Sequence, residues 1–469
     1  MIGALGRLLV ERLERSAGLV DDGASPPVTA SALPDGAARI AQALQAGGLQ
    51  ADEPVFLVVA GRAVDLEGLL GVWMAGGVAA PIHASASPAT WSAARRVLGA
   101  RVVIDRAGVS FEGRAAPAPQ PTLAGAALVV FTSGTTGLPK CVVIRHQGFV
   151  GKLEALDPVI RFTPDDLVVV PLQLTFIFGQ WVALLALSAG SSVALMPRFS
   201  PEACHRSWIR DATALGAVPS MLRALAQGPR PFDRLRTIIS GGESLGMKLS
   251  VSTAARWPNA SIFDMYGLTE TGAADFCSVS TVDRPAGAWI GRPTGGVSYR
   301  LVAQDGSVVA RGAAGELQIR TRHGMAGYLG DPCLTAKSFR EGWFRTGDLA
   351  VEDADGRLRL VGRIKDLISR AGNKIYPAEV ENALQLHPDV AACLCAGVPD
   401  EAVGERIHAA VVLKTRSVET GASLRSWLAG RLERYKIPDF ISVIESIPLG
   451  PTGKASRAAL RELVESRHR

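Results

Sequence analysis

The sequence carries little that would mark a secreted, membrane-spanning or nucleic-acid-binding protein. Its six cysteines, Cys141, Cys204, Cys277, Cys333, Cys393 and Cys395, are scattered. No pair has the C-x-x-C spacing of a zinc site, so reduced thiols in a cytoplasmic protein are expected. There is no dense Lys/Arg run, and 50 Lys and Arg against 44 Asp and Glu leave a net charge of only +6. No nucleic-acid partner is expected from that, while the mild surplus suits an anionic small molecule. The start, Met1 to Arg7, lacks a signal-peptide layout; Leu5, Leu8, Leu9 and Leu13 instead share one face of a short helix. Leu167 to Pro197 contains no charged residue and is long enough to cross a bilayer. Pro171, Gln173, Thr175, Gly179, Gln180 and Gly190 interrupt it, so we read a buried strand, helix and strand and expect no membrane span.

What is present is material for more than one core. The chain has 469 residues, 48% of them hydrophobic and 20% charged, which points to two or more globular domains without a disorder signature. Helical and strand-like patterns alternate from residue 36 onward. Ala37 to Ala46 and Asp65 to Ala75 read as helices, and Pro54 to Val59 and Val78 to Ile82 as strands. That rhythm predicts α/β layers with parallel strands. Ala115 to Pro121 is a connector, and Val129 to Phe131 a short strand. After Gly291, Gly295 to Arg320 and Val351 to Val361 read as short strands of a small β subdomain. Pro377 to Leu386 is a predicted helix, His408 to Leu413 a strand and Ser423 to Leu432 a helix. We therefore expect a large N-terminal domain over 1–362, a hinge at 363–366 and a smaller mobile α+β domain over 367–469.

The most informative segment is Phe131-Thr132-Ser133-Gly134-Thr135-Thr136-Gly137-Leu138-Pro139-Lys140. Glycines let backbone N–H groups approach phosphate oxygens, the hydroxyls add donors and Lys140 adds charge. Taken alone, such a loop is as readily a flexible surface turn. It is not a Walker A loop, and neither is Gly450-Pro451-Thr452-Gly453-Lys454-Ala455, whose spacing is too short.

The first of these segments resembles the signature loop of the acyl-adenylate-forming (AMP-binding) superfamily, and further motifs follow in order. Tyr266-Gly267-Leu268-Thr269-Glu270-Thr271 resembles the second signature. Gly342 to Asp348 resembles the third. Gly362 to Ile368, with Gly372, Pro377 and Glu379, resembles the hinge segment, and Tyr435 to Pro438 and Pro448 to Lys454 the C-terminal pair. The resemblance spans residues 35–465 and implies ATP-dependent activation of a carboxylic acid.

It also implies roles. Thr132, Ser133, Gly134, Thr135, Thr136, Gly137 and Lys140 would hold the ATP phosphates. Glu270 would position Mg²⁺, and Thr269 would contact the α-phosphate. Gly241, Gly242, Glu243, Tyr266 and Gly267 would form the adenine site, with Asp264 as acceptor for the amino group. Asp348 would bind the ribose hydroxyls, assisted by Arg363. Lys454 would be the catalytic cation, Lys365 the hinge and Gly372 part of a thiol channel. Read alone, Lys454 is an ordinary turn lysine, Glu270 a solvated carboxylate and Asp348 a turn residue.

Phe176 and Gly179 fall where the family lines its acyl pocket. Many members carry His where Phe176 stands, so a substrate with a second charge is disfavoured. The Gly241-Gly242-Glu243 turn is similar to benzoate-type ligases. Both features lean to an aromatic or other apolar monocarboxylate, although Phe176 could equally be core packing. The chain closes soon after Lys454, with no appended carrier domain. Coenzyme A is therefore the expected acceptor, the alternatives being a separate carrier protein or a non-catalytic ATP-binding protein. A monomer or homodimer is expected.

Overall fold

The computed structural model describes residues 3–23, 26–113, 115–132, 140–284, 289–414, 417–449 and 455–467. The chain divides into two compact units, Met1–Tyr299 with Ile319–Phe344, and Arg300–Gln318 with Arg345–Arg469. The small β region is thus shared between the units, and residues 363–366 lie inside the second.

The first unit is built on two sheets. One runs in the order Gly327–Tyr328, Lys140–Arg145, Ala126–Thr132, Val78–His83, Pro54–Val59, Val102–Asp105 and Gly108–Phe111, its central strands parallel. Pro54–Val59 and Val78–His83 are buried almost throughout, which is why they read as unbroken apolar runs rather than alternating ones. The helix Ala63–Ala75 between them ends on Gly76 in the left-handed region at φ 82°. Asp65 secures its start by accepting from Ala60 N and Arg62 N, each at 2.8 Å.

The other sheet of this unit places Val28–Thr29, Leu19–Asp21, Ser192–Leu195, Leu167–Val170, Ala214–Ala217, Thr237–Gly241, Ser261–Tyr266, Phe276–Ser280 and Trp289–Pro293 in that order. From Leu19–Asp21 to Ser261–Tyr266 every pairing is parallel, so these carboxyl ends share one edge. The chargeless segment resolves into strand Leu167–Val170, helix Ile177–Ser188 and strand Ser192–Leu195. The helix is buried on all sides from Gly179 to Leu187, which accounts for a run with no polar face. No helix among the described residues is long and apolar enough to cross a membrane. The N-terminal helix Ala4–Leu13 inserts Leu5, Leu9 and Leu13 fully into this core, with Leu8 at the rim. Each buried leucine contributes about 1.5–3 kcal/mol.

In the second unit the strands Val390–Asp400 and Gly404–Leu413 form a long antiparallel hairpin, flanked by Ile368–Arg370 and, in parallel, by Phe440–Val443. Helices Pro377–Gln385 and Gly421–Ala429 bury Val380, Leu384, Leu424 and Leu428 with Ile368, Ile375 and Ile407. The second helix starts earlier and stops earlier than its apolar pattern suggested. Thr420 caps it by accepting from Ser423 N at 3.2 Å, and Gly430 ends it. The C-terminal helix Arg457–Arg467 packs Leu460 and Val464 on Leu394, Ala396 and Ala410.

Candidate active site

Ligands of open parallel sheets bind beyond the carboxyl ends of the strands. Three of the singled-out segments of the first unit leave the parallel sheet there. Gly241 ends its strand, Tyr266 ends the next, and Pro171 to Phe176 follows Val170. A Cβ on Gly241 would lie 2.9 Å from the Met265 carbonyl oxygen, and Gly242 sits at φ 85°, so the turn needs both glycines. Glu243 is held by Arg223 at 3.2 Å. Asp264 lies between Ser240 and Ser278 across the strand pairs, where burial pushes its carboxyl up to about 7. Near neutral pH it is divided between charged and neutral forms, so it can accept or donate a hydrogen bond.

After Tyr266 the chain turns sharply. A Cβ on Gly267 would lie 2.3 Å from Ala274 N, and Gly272, Ala273 and Ala274 all have positive φ, at 85°, 62° and 49°. Consecutive non-glycine residues in that region are strained and need support. Here it comes from below: Lys152 and Asp275, both with side chains 0% exposed, pair at 3.1 Å. The Thr271 hydroxyl donates to Asp275, and Thr294 donates to the Ala274 carbonyl at 2.8 Å. Burial raises the Asp275 carboxyl, and the Lys152 charge opposes that rise.

His323 packs against the same turn. Burial, with the Lys152 charge, pushes it down to about 4, so it is neutral and its Nε2–H donates to Gly295 O at 3.1 Å. Gly151, Gly272 and Gly296 lie against this residue; a Cβ on Gly272 would come 2.4 Å from its carbonyl oxygen.

Glu270 sits in the short 3₁₀ turn Thr269–Thr271. Its carbonyl accepts from Met325 N at 2.8 Å, and its Oε1 accepts from the Tyr328 hydroxyl at 2.9 Å. Tyr328 lies on the strand that pairs with Lys140–Arg145, and the Lys140 ammonium stands 5.3 Å from the centre of its ring. The sequence reading did not single out Tyr328. Its Gly327-Tyr328 dipeptide between motifs is the only signal, and a weak one. Thr132 and Lys140 face each other in the hairpin register. Ser133, Gly134, Thr135, Thr136 and Gly137 between them lie outside the described residues.

The acyl-pocket candidates separate. Phe176 is 48% exposed at the start of the helix Ile177–Ser188 and is not packed in the core. Gly179 is buried, and a Cβ there would lie 2.6 Å from the Gln173 carbonyl oxygen, so it permits the chain's close return. Phe178, which sequence reasoning passed over, packs at a tilt against Trp181, ring centres 5.4 Å apart, and reaches to 3.6 Å of a Cβ built on Gly241.

In the second unit Asp348 and Arg363 are direct partners across an antiparallel pair, with Arg363 Nε 2.8 Å from Asp348 Oδ1. The aspartate is 3% exposed and the arginine 51%. Thr346 steadies the turn, accepting from Asp348 N at 3.0 Å and donating to Leu317 O at 2.6 Å. Lys365 is exposed in the 3₁₀ turn Ile364–Asp366. Gly372 takes φ 81° with open space around a built Cβ, so its backbone, not crowding, demands glycine. Lys454 lies outside the described residues. Beyond it, Arg457 makes a double contact with the half-buried Glu381 at 2.7 and 2.9 Å and reaches Asp366 at 3.5 Å.

Among the described residues no group of three or more acidic, His or Cys side chains could enclose a metal. Glu270 stands as a single carboxylate with Oε1 engaged. That suits Mg²⁺ held by one carboxylate together with phosphate oxygens, rather than a closed protein cage.

The family profile described as AMP-binding enzyme matches residues 105–329, and that of the AMP-binding enzyme C-terminal domain matches 379–454. A fatty acid–[acyl-carrier-protein] ligase from Streptomyces coeruleorubidus is 34% identical over 346 residues, 71% of this chain and 66% of that protein. A sulfoacetate–CoA ligase from Cupriavidus necator is 33% identical over 360 residues, 74% of this chain and 69% of that protein. The ATP-bound crystal structure of MatB from Rhodopseudomonas palustris superposes with a TM-score of 0.89 at 25% identity, covering 100% of both chains. With profiles over both regions, ordered motifs and this architecture, the chain belongs to the AMP-binding, acyl-adenylate-forming enzyme family.

Proposed function

We propose that this chain activates a carboxylic acid with ATP and then transfers the acyl group to the thiol of coenzyme A. In the first step a carboxylate oxygen attacks the α-phosphorus and the bond to pyrophosphate breaks. In the second the thiol sulfur attacks the acyl carbon, AMP leaves, and the thiol proton passes to solvent. Both reactants of the first step are anions, so the protein's task is alignment and charge neutralisation. Mg²⁺, when bound, supplies part of that positive charge at the phosphate oxygens.

The residues divide the work. Lys140, with Thr132 and the loop Ser133 to Gly137, takes the β- and γ-phosphates, and Glu270 offers its Oε2 to the cation. Thr269 meets the α-phosphate. Gly241 to Glu243, Tyr266, Gly267 and Asp264 receive the adenine. Asp348 accepts from the ribose hydroxyls with Arg363 beside it. Lys454 enters for the first step, and rotation about Lys365 removes it so that the backbone at Gly372 can line a path for the thiol. The observation that carries this reading is the Lys140–Tyr328–Glu270 contact. It brings a phosphate-loop cation and a metal carboxylate, far apart in sequence, onto one tyrosine ring.

The acid we propose is an aromatic or other apolar monocarboxylate. Phe178 brings an apolar ring to the Gly241 turn, and Phe176 starts the same helix where many members of the family carry His. A carrier protein as acceptor is the second reading, supported by the carrier-protein ligase among the relatives. The test is pyrophosphate exchange over a panel of carboxylic acids, followed by thiol trapping with coenzyme A and with a phosphopantetheinylated carrier. Benzoate- or fatty-acid-dependent exchange is expected. Absence of exchange with every acid would refute the activity, and a preference for dicarboxylates would refute the pocket assignment.

A further inference from the structure

Tyr328 is buried in the first unit, 4% exposed, on the two-residue strand Gly327–Tyr328. Three contacts fix it. Its N–H donates to Thr335 Oγ1 at 2.9 Å, its hydroxyl donates to Glu270 Oε1 at 2.9 Å, and its ring faces the Lys140 ammonium at 5.3 Å. A phenol hydroxyl facing a carboxylate oxygen is the donor of that bond, and the carboxylate the acceptor. Thr335 is itself set by the helix Pro332–Ser338, which Asp331 caps by accepting from Leu334 N at 2.8 Å. The tyrosine is therefore a fixed post rather than a mobile side chain.

We propose that Tyr328 is a positioning residue that sets Glu270 for one-oxygen coordination of the nucleotide's divalent cation and, through its ring, restrains Lys140 toward the phosphates. The proposal rests on the ATP-binding reading above. A carboxylate can offer a cation both oxygens or one. With Oε1 held by the phenol hydroxyl at 2.9 Å, Oε2 is the oxygen left to turn outward. The hydroxyl and the ring then serve different partners, so they can be separated by substitution. Tyr328→Phe keeps the ring and loses the donor; Tyr328→Leu loses both.

The experiment is calorimetric titration of the full chain with ATP, at stepped Mg²⁺ concentrations and in EDTA. Loss of a charge-assisted hydrogen bond at a metal carboxylate is expected to weaken Mg·ATP binding by about tenfold in Tyr328→Phe. Binding of metal-free ATP should be unchanged in that variant. Tyr328→Leu should in addition weaken metal-free ATP by about threefold, the loss of one cation–π contact. In a Glu270→Ala background Tyr328→Phe should have no further effect on Mg·ATP. Equal weakening with and without Mg²⁺ would mean a purely structural role and would overturn the proposal, as would wild-type affinity for Mg·ATP in Tyr328→Phe. A wild-type chain that binds no ATP at all would remove the functional reading and this proposal with it. Wild-type binding with an unaffected Tyr328→Phe would remove this proposal alone.

Discussion

Arg457→Met should destabilise the second unit, and by an amount that depends on pH. The arginine closes a small network: its Nη2 touches both oxygens of Glu381 at 2.7 and 2.9 Å, its Nη1 reaches Asp366 at 3.5 Å, and its Nε donates to the Cys395 carbonyl at 3.0 Å. Glu381 is 13% exposed and otherwise accepts only from Cys395 N at 2.8 Å among the described contacts. Breaking a buried pair by removing one partner costs about 3–5 kcal/mol. Because Arg457 keeps 24% of its side-chain surface exposed, we discount this to about 2–4 kcal/mol for solvent screening.

Burial raises the Glu381 carboxyl, and Arg457 is the chief influence opposing that rise. Without it the folded-state value climbs further. A carboxyl raised on folding contributes stability below its unfolded value, and that contribution is lost as pH rises through the folded value. The deficit of Arg457→Met should therefore be smaller near pH 5 than near pH 8. Adding Glu381→Gln should recover part of it at the higher pH. Hydrogen exchange of the Cys395 amide, in peptides from the full chain, reads the opening of this part of the fold directly. A deficit that is the same at both pH values, or one untouched by Glu381→Gln, would refute the electrostatic account and leave only lost packing.

Four other outcomes are expected. Lys454→Ala should lower acid-dependent pyrophosphate exchange by about 10²–10³-fold while sparing thioester formation from a pre-made acyl-adenylate; equal loss of both would count against domain rotation. Lys365→Pro should do the reverse, sparing exchange and blocking thiol transfer, and normal overall turnover would reject the hinge. Lys152→Met should destabilise the first unit by about 3–5 kcal/mol in urea, since its pair with Asp275 is fully buried; a change below 1 kcal/mol would show that the turn above does not depend on it. The carboxyl of Asp264 is raised to about 7, so it contributes stability in acid that is lost as pH rises through neutrality. The difference in melting temperature between Asp264→Asn and wild type should accordingly shift in favour of the asparagine variant from about pH 4 to pH 8, and parallel profiles would show that the carboxyl is not desolvated.

Local pattern made much of the fold legible. The strand Pro54–Val59 has the bounds its apolar run suggested, and the chargeless stretch resolves into strand, helix and strand. These elements are buried on all sides, and burial leaves an unmistakable composition. Long-range pairing left no such trace. The family resemblance put Asp348 and Arg363 at one ribose, but no local pattern shows that they stand opposite each other, because register across a β pair is set by the sheet and not by the residues that end up facing. Phe178 was missed for a related reason: in an all-apolar helix, periodicity cannot say which ring faces a backbone turn. Phe176 stood out by its departure from a family pattern, and proves to be the exposed one.

The base of the Tyr266–Thr271 segment shows where the chain gives up stability for shape. Ala273 and Ala274 adopt left-handed φ values that cost about 1–2 kcal/mol each. Beneath them lies an ion pair that apolar residues of similar volume could replace with no loss of stability, or some gain. Neither feature helps the fold as such. Together they fix the carbonyl of Ala274 and the hydroxyl of Thr271, and through them the turn that carries Glu270. Tyr328 then fixes the carboxylate from the other side. A single glutamate presents its carboxylate in one orientation only if its backbone and its side chain are both held, and these are the two restraints on Glu270.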